Sequence, residues 1–116
     1  MQYMALIYSN PDLEPTPGTD EFNAYMADYF KINEIYKNDG VFVAGEPLEG
    51  IDKATSVQIR DGQTKVMDGP FADTKERLGG FYIFECSDLD QALKYAAMIP
   101  SAKYGTVEVR PLMVLS

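Results

Sequence analysis

The chain has 116 residues and a mass of 13.0 kDa, 46% of it hydrophobic and 12% aromatic, with 18 acidic against 10 basic side chains, a net charge of −8 and a pI near 4.3. That describes one globular domain, 1–116, too small for a catalytic unit beside a separate binding unit, and its acidity with scattered cations repels nucleic-acid phosphates and anionic lipid. It has no histidine, so a His-based triad or zinc site is excluded and any proton transfer falls to Asp, Glu, Lys, Tyr or Cys.

Met1 to Tyr8 is apolar without a basic leader, so it reads as a first strand and the expected address is cytoplasmic. No apolar run approaches the roughly 20 residues of a membrane-spanning helix. Ser9-Asn10-Pro11-Asp12 stops the strand, and Thr19 is placed to cap a helix from about 20 to 38 whose first turn carries Asp20 and Glu21. Phe22, Tyr25, Met26, Tyr29, Ile32 and Tyr36 share one stripe of that helix, and Gly40 stops it. Phe30 and Ile35 fall outside the stripe.

Val41 to Leu48 predicts a second strand ending at Gly45 to Pro47, with Glu46 at its end. Thr55–Arg60 and Thr64–Met67 flank Asp61-Gly62 as a hairpin. Residues 68–79 form the next connection, and Gly80–Cys86 predicts a central strand in which the single cysteine, Cys86, is a small apolar side chain and not a reactive thiol. Ser87 or Asp88 caps a second helix with Leu89, Ala92, Leu93, Ala96 and Ile99 on one face, ended by Pro100. A last strand spans about Thr106 to Leu115. The order strand, helix, strand, hairpin, strand, helix, strand is an α+β, ferredoxin-like two-layer sandwich with an inserted β-hairpin. Two helices on one face leave the other face of the sheet bare, and apolar residues such as Tyr3, Leu6, Phe42, Phe81 and Ile83 then call for a second copy as cover.

The densest chemistry lies in Asp68-Gly69-Pro70-Phe71-Ala72-Asp73-Thr74-Lys75-Glu76. Pro70 fixes its own φ and biases Gly69 toward an extended conformation, so Asp68 and Phe71 are held in a defined relation. This nonapeptide resembles the signature of the DGPF branch of the YCII-related proteins. The likeness extends from Tyr3-Met4 and Ile7-Tyr8 through Gly45-Glu46 and Gly79-Gly80 to Ala102-Lys103-Tyr104-Gly105 and Val107 to Pro111. It implies a homodimer in which two sheets pack face to face as a dimeric α+β barrel. A His and Asp catalytic pair belongs to parts of the wider group, and a chain without histidine does not inherit it.

If the loop is extended, Asp73, Lys75 and Arg77 point one way and Thr74 and Glu76 the other. The candidate catalytic groups are then Asp68, Lys75, Glu76 and Glu46, with Thr74, Arg110, Tyr104 and Phe71 binding substrate. No cofactor motif, phosphate loop or metal cluster is visible, so the expectation is a cofactor-independent lyase or isomerase acting on a small anionic or carbonyl substrate. The alternative is a non-catalytic dimer that binds a small molecule or serves a regulatory role, which an association with alternative sigma factors among bacterial relatives makes relevant. In that reading Asp68-Gly69-Pro70 is a tight turn, Phe71 plugs the core, and Thr74 to Arg77 form a helical turn.

Overall fold

The computed structural model describes residues 1–115. Strict alternation makes the first strand, β1 (Gln2–Ser9): Tyr3, Ala5, Ile7 and Ser9 are buried on one face while Met4, Leu6 and Tyr8 lie on the other. The Thr19 hydroxyl accepts the Phe22 amide at 3.2 Å and starts α1 (Asp20–Asn38), which Gly40 closes in a left-handed conformation at φ 73°. β2 (Phe42–Pro47) follows, then a 3-10 turn at Ile51–Lys53 and the hairpin β3 (Thr55–Arg60) and β4 (Gln63–Asp68). Asp61 and Gly62 both take positive φ, 53° and 75°, the signature of a type I′ hairpin turn.

β5 runs Arg77–Glu85, α2 Leu89–Ala96 and β6 Gly105–Pro111. The four-stranded sheet has the order β2-β5-β1-β6 with every neighbouring pair antiparallel, while β3 and β4 form their own two-stranded sheet. This is the ferredoxin-like plan with an inserted hairpin. Both helices cover the Tyr82 and Phe84 face. There Tyr36 is fully buried, stacks edge-on against both rings and donates its hydroxyl to the Tyr95 carbonyl at 2.7 Å. The register puts Tyr3 opposite Phe84 and Phe42 opposite Phe84 on this covered face, whereas Leu6 opposite Phe81 and Met4 opposite Ile83 lie on the open one.

Three boundaries and one helix face differ from the sequence expectation. β5 begins at Arg77, because Arg77 and Leu78 find ladder partners in Ser9 and Tyr8, so the connection after the hairpin is only 69–76. β6 stops at Pro111, beyond which the Leu112 amide donates one hydrogen bond to the Gln2 carbonyl and the chain leaves the sheet. Leu89 and Leu93 are exposed, since α2 turns Ala92, Tyr95 and Ala96 inward; small alanines let the helix sit close to the sheet. α2 ends at Ala96 with its cap at Ala97, before Pro100 is reached; Pro100 instead opens a 3-10 turn, Pro100–Lys103, that buries Ser101.

Candidate functional site

α1 lies over the sheet at a distance from its β2 edge, and the gap beneath it is a cavity of about 800 Å³. Its floor is the helix-facing side of three strands: Ile7 and Ser9 from β1, Gly80 and Tyr82 from β5, Phe42 and Gly45 from β2. Glycine is required at two of these places. A Cβ on Gly45 would stand 2.6 Å from the Tyr82 ring, and one on Gly80 2.8 Å from the Glu46 carbonyl oxygen. The roof is one face of α1, from Tyr25 and Met26 through Tyr29 and Phe30 to Asn33 and Lys37. The β2 to β3 connection, Leu48 to Asp52, walls one side, and Pro11 and Glu14 close the end above β1. Most of the lining is apolar, and the polar groups are few and grouped, as is usual for small-molecule sites.

The sharpest group is formed by three hydroxyls. Tyr25 and Tyr29, one helical turn apart, both bring their phenol oxygens to within 2.5 Å of the Ser101 hydroxyl, and Ser101 is only 3% exposed. Two links among three hydroxyls use two protons. The third is left over for an acceptor oxygen that enters the cavity. Burial raises both phenols above the ordinary tyrosine pKa, an effect that the Ser101 hydrogen bond only partly offsets. They are therefore neutral hydrogen-bond donors at physiological pH. Tyr104 stacks edge-on behind Tyr25 at 5.7 Å and fixes that ring.

Around this group stand a carboxylate and a cation. Ser9 donates a short hydrogen bond to Glu14, and the Glu14 charge adds to the upward pressure on Tyr25. Arg77, opposite Ser9 in the ladder, donates to the Ala72 carbonyl at 3.2 Å and pairs with the Asp73 carboxylate at 3.3 Å. At the far end the Tyr82 hydroxyl donates to Asn33 at 2.7 Å, and burial pushes Tyr82 up to about 12. Lys37 lies over the Phe42 ring at 5.4 Å.

The residues singled out from sequence are distributed over several places. Glu46 lines the cavity at the end of β2, and Tyr104 buttresses it through Tyr25. Asp68 ends β4, exposed and paired with Thr55 in the hairpin ladder. Lys75 is exposed, and the Thr74 hydroxyl donates to the Glu76 carbonyl at 2.5 Å. The Glu76 carboxylate accepts from Thr106 at 3.2 Å, and Arg110 lies on β6 opposite Met4, 3.8 Å from Glu108. Phe71 is 84% exposed and plugs no core, because the chain leaving Gly69 at φ 92° carries it outward; Thr74 to Arg77 form no helical turn.

Sequence reading missed the hydroxyl group as a site. Tyr25 and Tyr29 sat in an apolar stripe and counted as core, and Ser101 followed a helix stop. The available signal was the i, i+4, i+8 series Tyr25, Tyr29 and Asn33, two members of the stripe and a neighbour just outside it, all with polar tips. Among the described residues no group of His, Cys, Asp and Glu could hold a metal ion, and no helix is long and apolar enough to cross a membrane.

The YCII-related domain model matches residues 1–116. An uncharacterised protein of Rhizobium meliloti (strain 1021) is 35% identical over 114 residues, covering 97% of this chain and 92% of the relative. Among solved structures, 5-chloro-2-hydroxyhydroquinone dehydrochlorinase (TftG) from Burkholderia phenoliruptrix AC1100, in complex with 2,5-dihydroxybenzoquinone, superposes with a TM-score of 0.53 at 14% identity. The match covers 97% of this chain and 94% of that one, a likeness of fold.

Proposed function

The chain belongs to the YCII-related domain family, and from that premise we propose that it is a small enzyme that binds a mostly apolar carbonyl or hydroxylated compound beneath α1 and moves a proton on it. The observation that carries this reading is the convergence of two neutral phenols on a buried serine at the wall of a large apolar cavity, with a carboxylate beside them. Phenols kept neutral by burial donate to a substrate oxygen and stabilise negative charge as it develops there. Glu14, or Glu46 across the cavity, accepts the proton from the carbon next to the carbonyl. The C–H electron pair becomes a C=C bond, and the carbonyl π pair moves onto oxygen, where Tyr25 or Tyr29 meets it. Collapse of that enolate expels a leaving group from the adjacent carbon, a lyase outcome, or returns the proton elsewhere, an isomerase outcome. The fold neighbour's dehydrochlorination, named with a quinone bound, is chemistry of the first kind. The open sheet face is the surface on which a second copy pairs.

Binding without turnover is a second reading, favoured by one feature of the motif. The Gly69 amide donates to the Ala54 carbonyl at 2.8 Å and Ser56 to the Gly69 carbonyl at 2.8 Å, so the head of the motif clasps the hairpin root, well placed as scaffold. Thermal unfolding in the presence of 2,5-dihydroxybenzoquinone and a panel of small ketones and keto acids tests both. A ligand raises the melting temperature by mass action, about 2.7 kcal/mol at a hundredfold excess over Kd. Tyr25→Phe is expected to weaken that ligand about tenfold while leaving the fold intact. Consumption of the ligand, followed by absorbance or NMR, then separates enzyme from binder. A panel that leaves wild type and Tyr25→Phe equally unmoved counts against the cavity as a site.

A further inference from the structure

Strand β5 carries an irregularity that re-aims one side chain. Phe84, Tyr82 and Gly80 lie opposite Tyr3, Ala5 and Ile7 and face the helices. The register then slips by one, because Gly79 stands as an extra residue between the pairs Ile7 with Gly80 and Tyr8 with Leu78. Beyond this bulge Leu78 shares the open side with Tyr8, and Arg77 turns inward beside the buried Ser9. A regular strand would do the reverse, setting leucine in the cavity wall and arginine on the open face. The Leu48 amide donates to the Gly79 carbonyl at 2.8 Å and pins the bulge from the β2 side.

The motif that dominates the sequence closes over the outer edge of this arginine. Its guanidinium donates to the Ala72 carbonyl at 3.2 Å and meets the Asp73 carboxylate at 3.3 Å. The segment bearing these two is tied to β6 where the Thr106 hydroxyl donates to Glu76. Asp73 is fully exposed, so water screens its pairing with Arg77 and the pair is weak. The Arg77 side chain is only 23% exposed. Two contacts leave most of its N–H donors without a partner among the described residues, and Glu14 is engaged by Ser9 instead. A guanidinium held by its edge at the wall of a mostly apolar cavity, and short of acceptors, is built to receive a carboxylate in a planar two-point pair.

We propose that Arg77 binds a carboxylate of the substrate, so that the carbonyl compound received beneath α1 is an oxo acid. This rests on the cavity being the site and adds the group that orients the ligand in it. Ser9 is flanked by Arg77 on β5 and by Gly105 on β6, and the turn that carries Ser101 leads directly into Gly105. Cation and hydroxyl trio therefore stand at the same end of the sheet, and a carboxylate seated on Arg77 directs the neighbouring carbonyl toward Tyr25 and Tyr29. Glu46, Glu49 and Asp52, exposed on the β2 side of the lining, repel the anion from that wall. Lys37 is the other cation of the described lining, at the far end over Phe42.

Calorimetric titration with benzoylformate, phenylpyruvate and levulinate, each beside its carboxamide, tests the assignment. The amide keeps the size and shape of the acid and loses its charge. At least one acid is expected to bind the wild-type chain about tenfold or more tightly than its amide, the usual size of a charge-assisted contact. Arg77→Gln is expected to bring acid and amide to within about twofold of each other by weakening the acid alone. Arg77→Lys keeps part of the preference, since a point charge lacks the planar fork. Amides that bind the wild-type chain as tightly as the acids overturn the assignment while leaving the cavity as the site. A preference that survives Arg77→Gln overturns it too, and loss of that preference in Lys37→Gln would then put the anion at the far end. If neither series binds, the cavity reading and the assignment fall together. The wild-type comparison needs no variant to fold, and near-UV circular dichroism verifies that the variants keep their core.

Discussion

At Gly105 the strands β6 and β1 pass so closely that a Cβ would stand 2.1 Å from the Tyr8 carbonyl oxygen and 2.6 Å from the Ser9 Cα. Both obstacles are backbone, so no rotamer relieves them. Gly105→Ala is therefore expected to cost about 3 kcal/mol or more, or to displace the start of β6 from the sheet. Gly62 provides the control, because it has φ 75° with nothing within 4 Å of a built Cβ. Gly62→Ala meets only the left-handed backbone penalty, about 1–2 kcal/mol. Urea titrations of the two variants separate steric from conformational cost, and equal losses would show that the β6 to β1 approach is looser than described. Gly105 also sits just after Tyr104, so its displacement would carry the buttress of Tyr25 with it.

On the scale of elements, α1 roofs the cavity, and its first turn depends on one hydroxyl. Thr19→Ala removes the acceptor for the Phe22 amide and is expected to cost about 1 kcal/mol. Because Tyr25 and Tyr29 lie within the next three turns, the same change should loosen ligand binding; a variant as stable as wild type would mean that another group caps the helix. This helix was legible in the sequence to the residue, since cap, acidic first turn, apolar period and glycine stop all agree. The hairpin was equally legible through Asp61-Gly62, as was the order of elements that gives the sheet. The site was not, because it depends on what lies opposite what. Nothing local to Ser101 says that two tyrosines more than seventy positions upstream converge on it. The motif attracted attention for its charges, yet Arg77, just past its end, has the ladder position beside Ser9 that points it toward the cavity.

Across the whole molecule, tyrosine takes the place that longer apolar side chains hold in other cores, which gives this chain a pH response of predictable sign. Tyr36 and Tyr82 pack in one ring cluster with Phe84, and burial raises the pKa of both phenols, that of Tyr82 to about 12. In the unfolded chain a tyrosine releases its proton near pH 10. Between that value and the folded one the native state holds protons that the unfolded state has lost, so stability is fully present below about pH 10 and falls as pH rises through the window. Each such phenol steepens the fall by about 1.4 kcal/mol per pH unit. Tyr82→Phe removes one titrating group and its hydrogen bond to Asn33, so it should lower stability at pH 7 yet flatten the decline between pH 10 and 12. Denaturant titrations of wild type and Tyr82→Phe at half-unit steps from pH 8 to 12 measure both slopes. Parallel declines would mean that Tyr82 ionises as readily in the folded chain as in the unfolded one, and that its ring is less desolvated than the packing against Tyr36 and Phe84 implies.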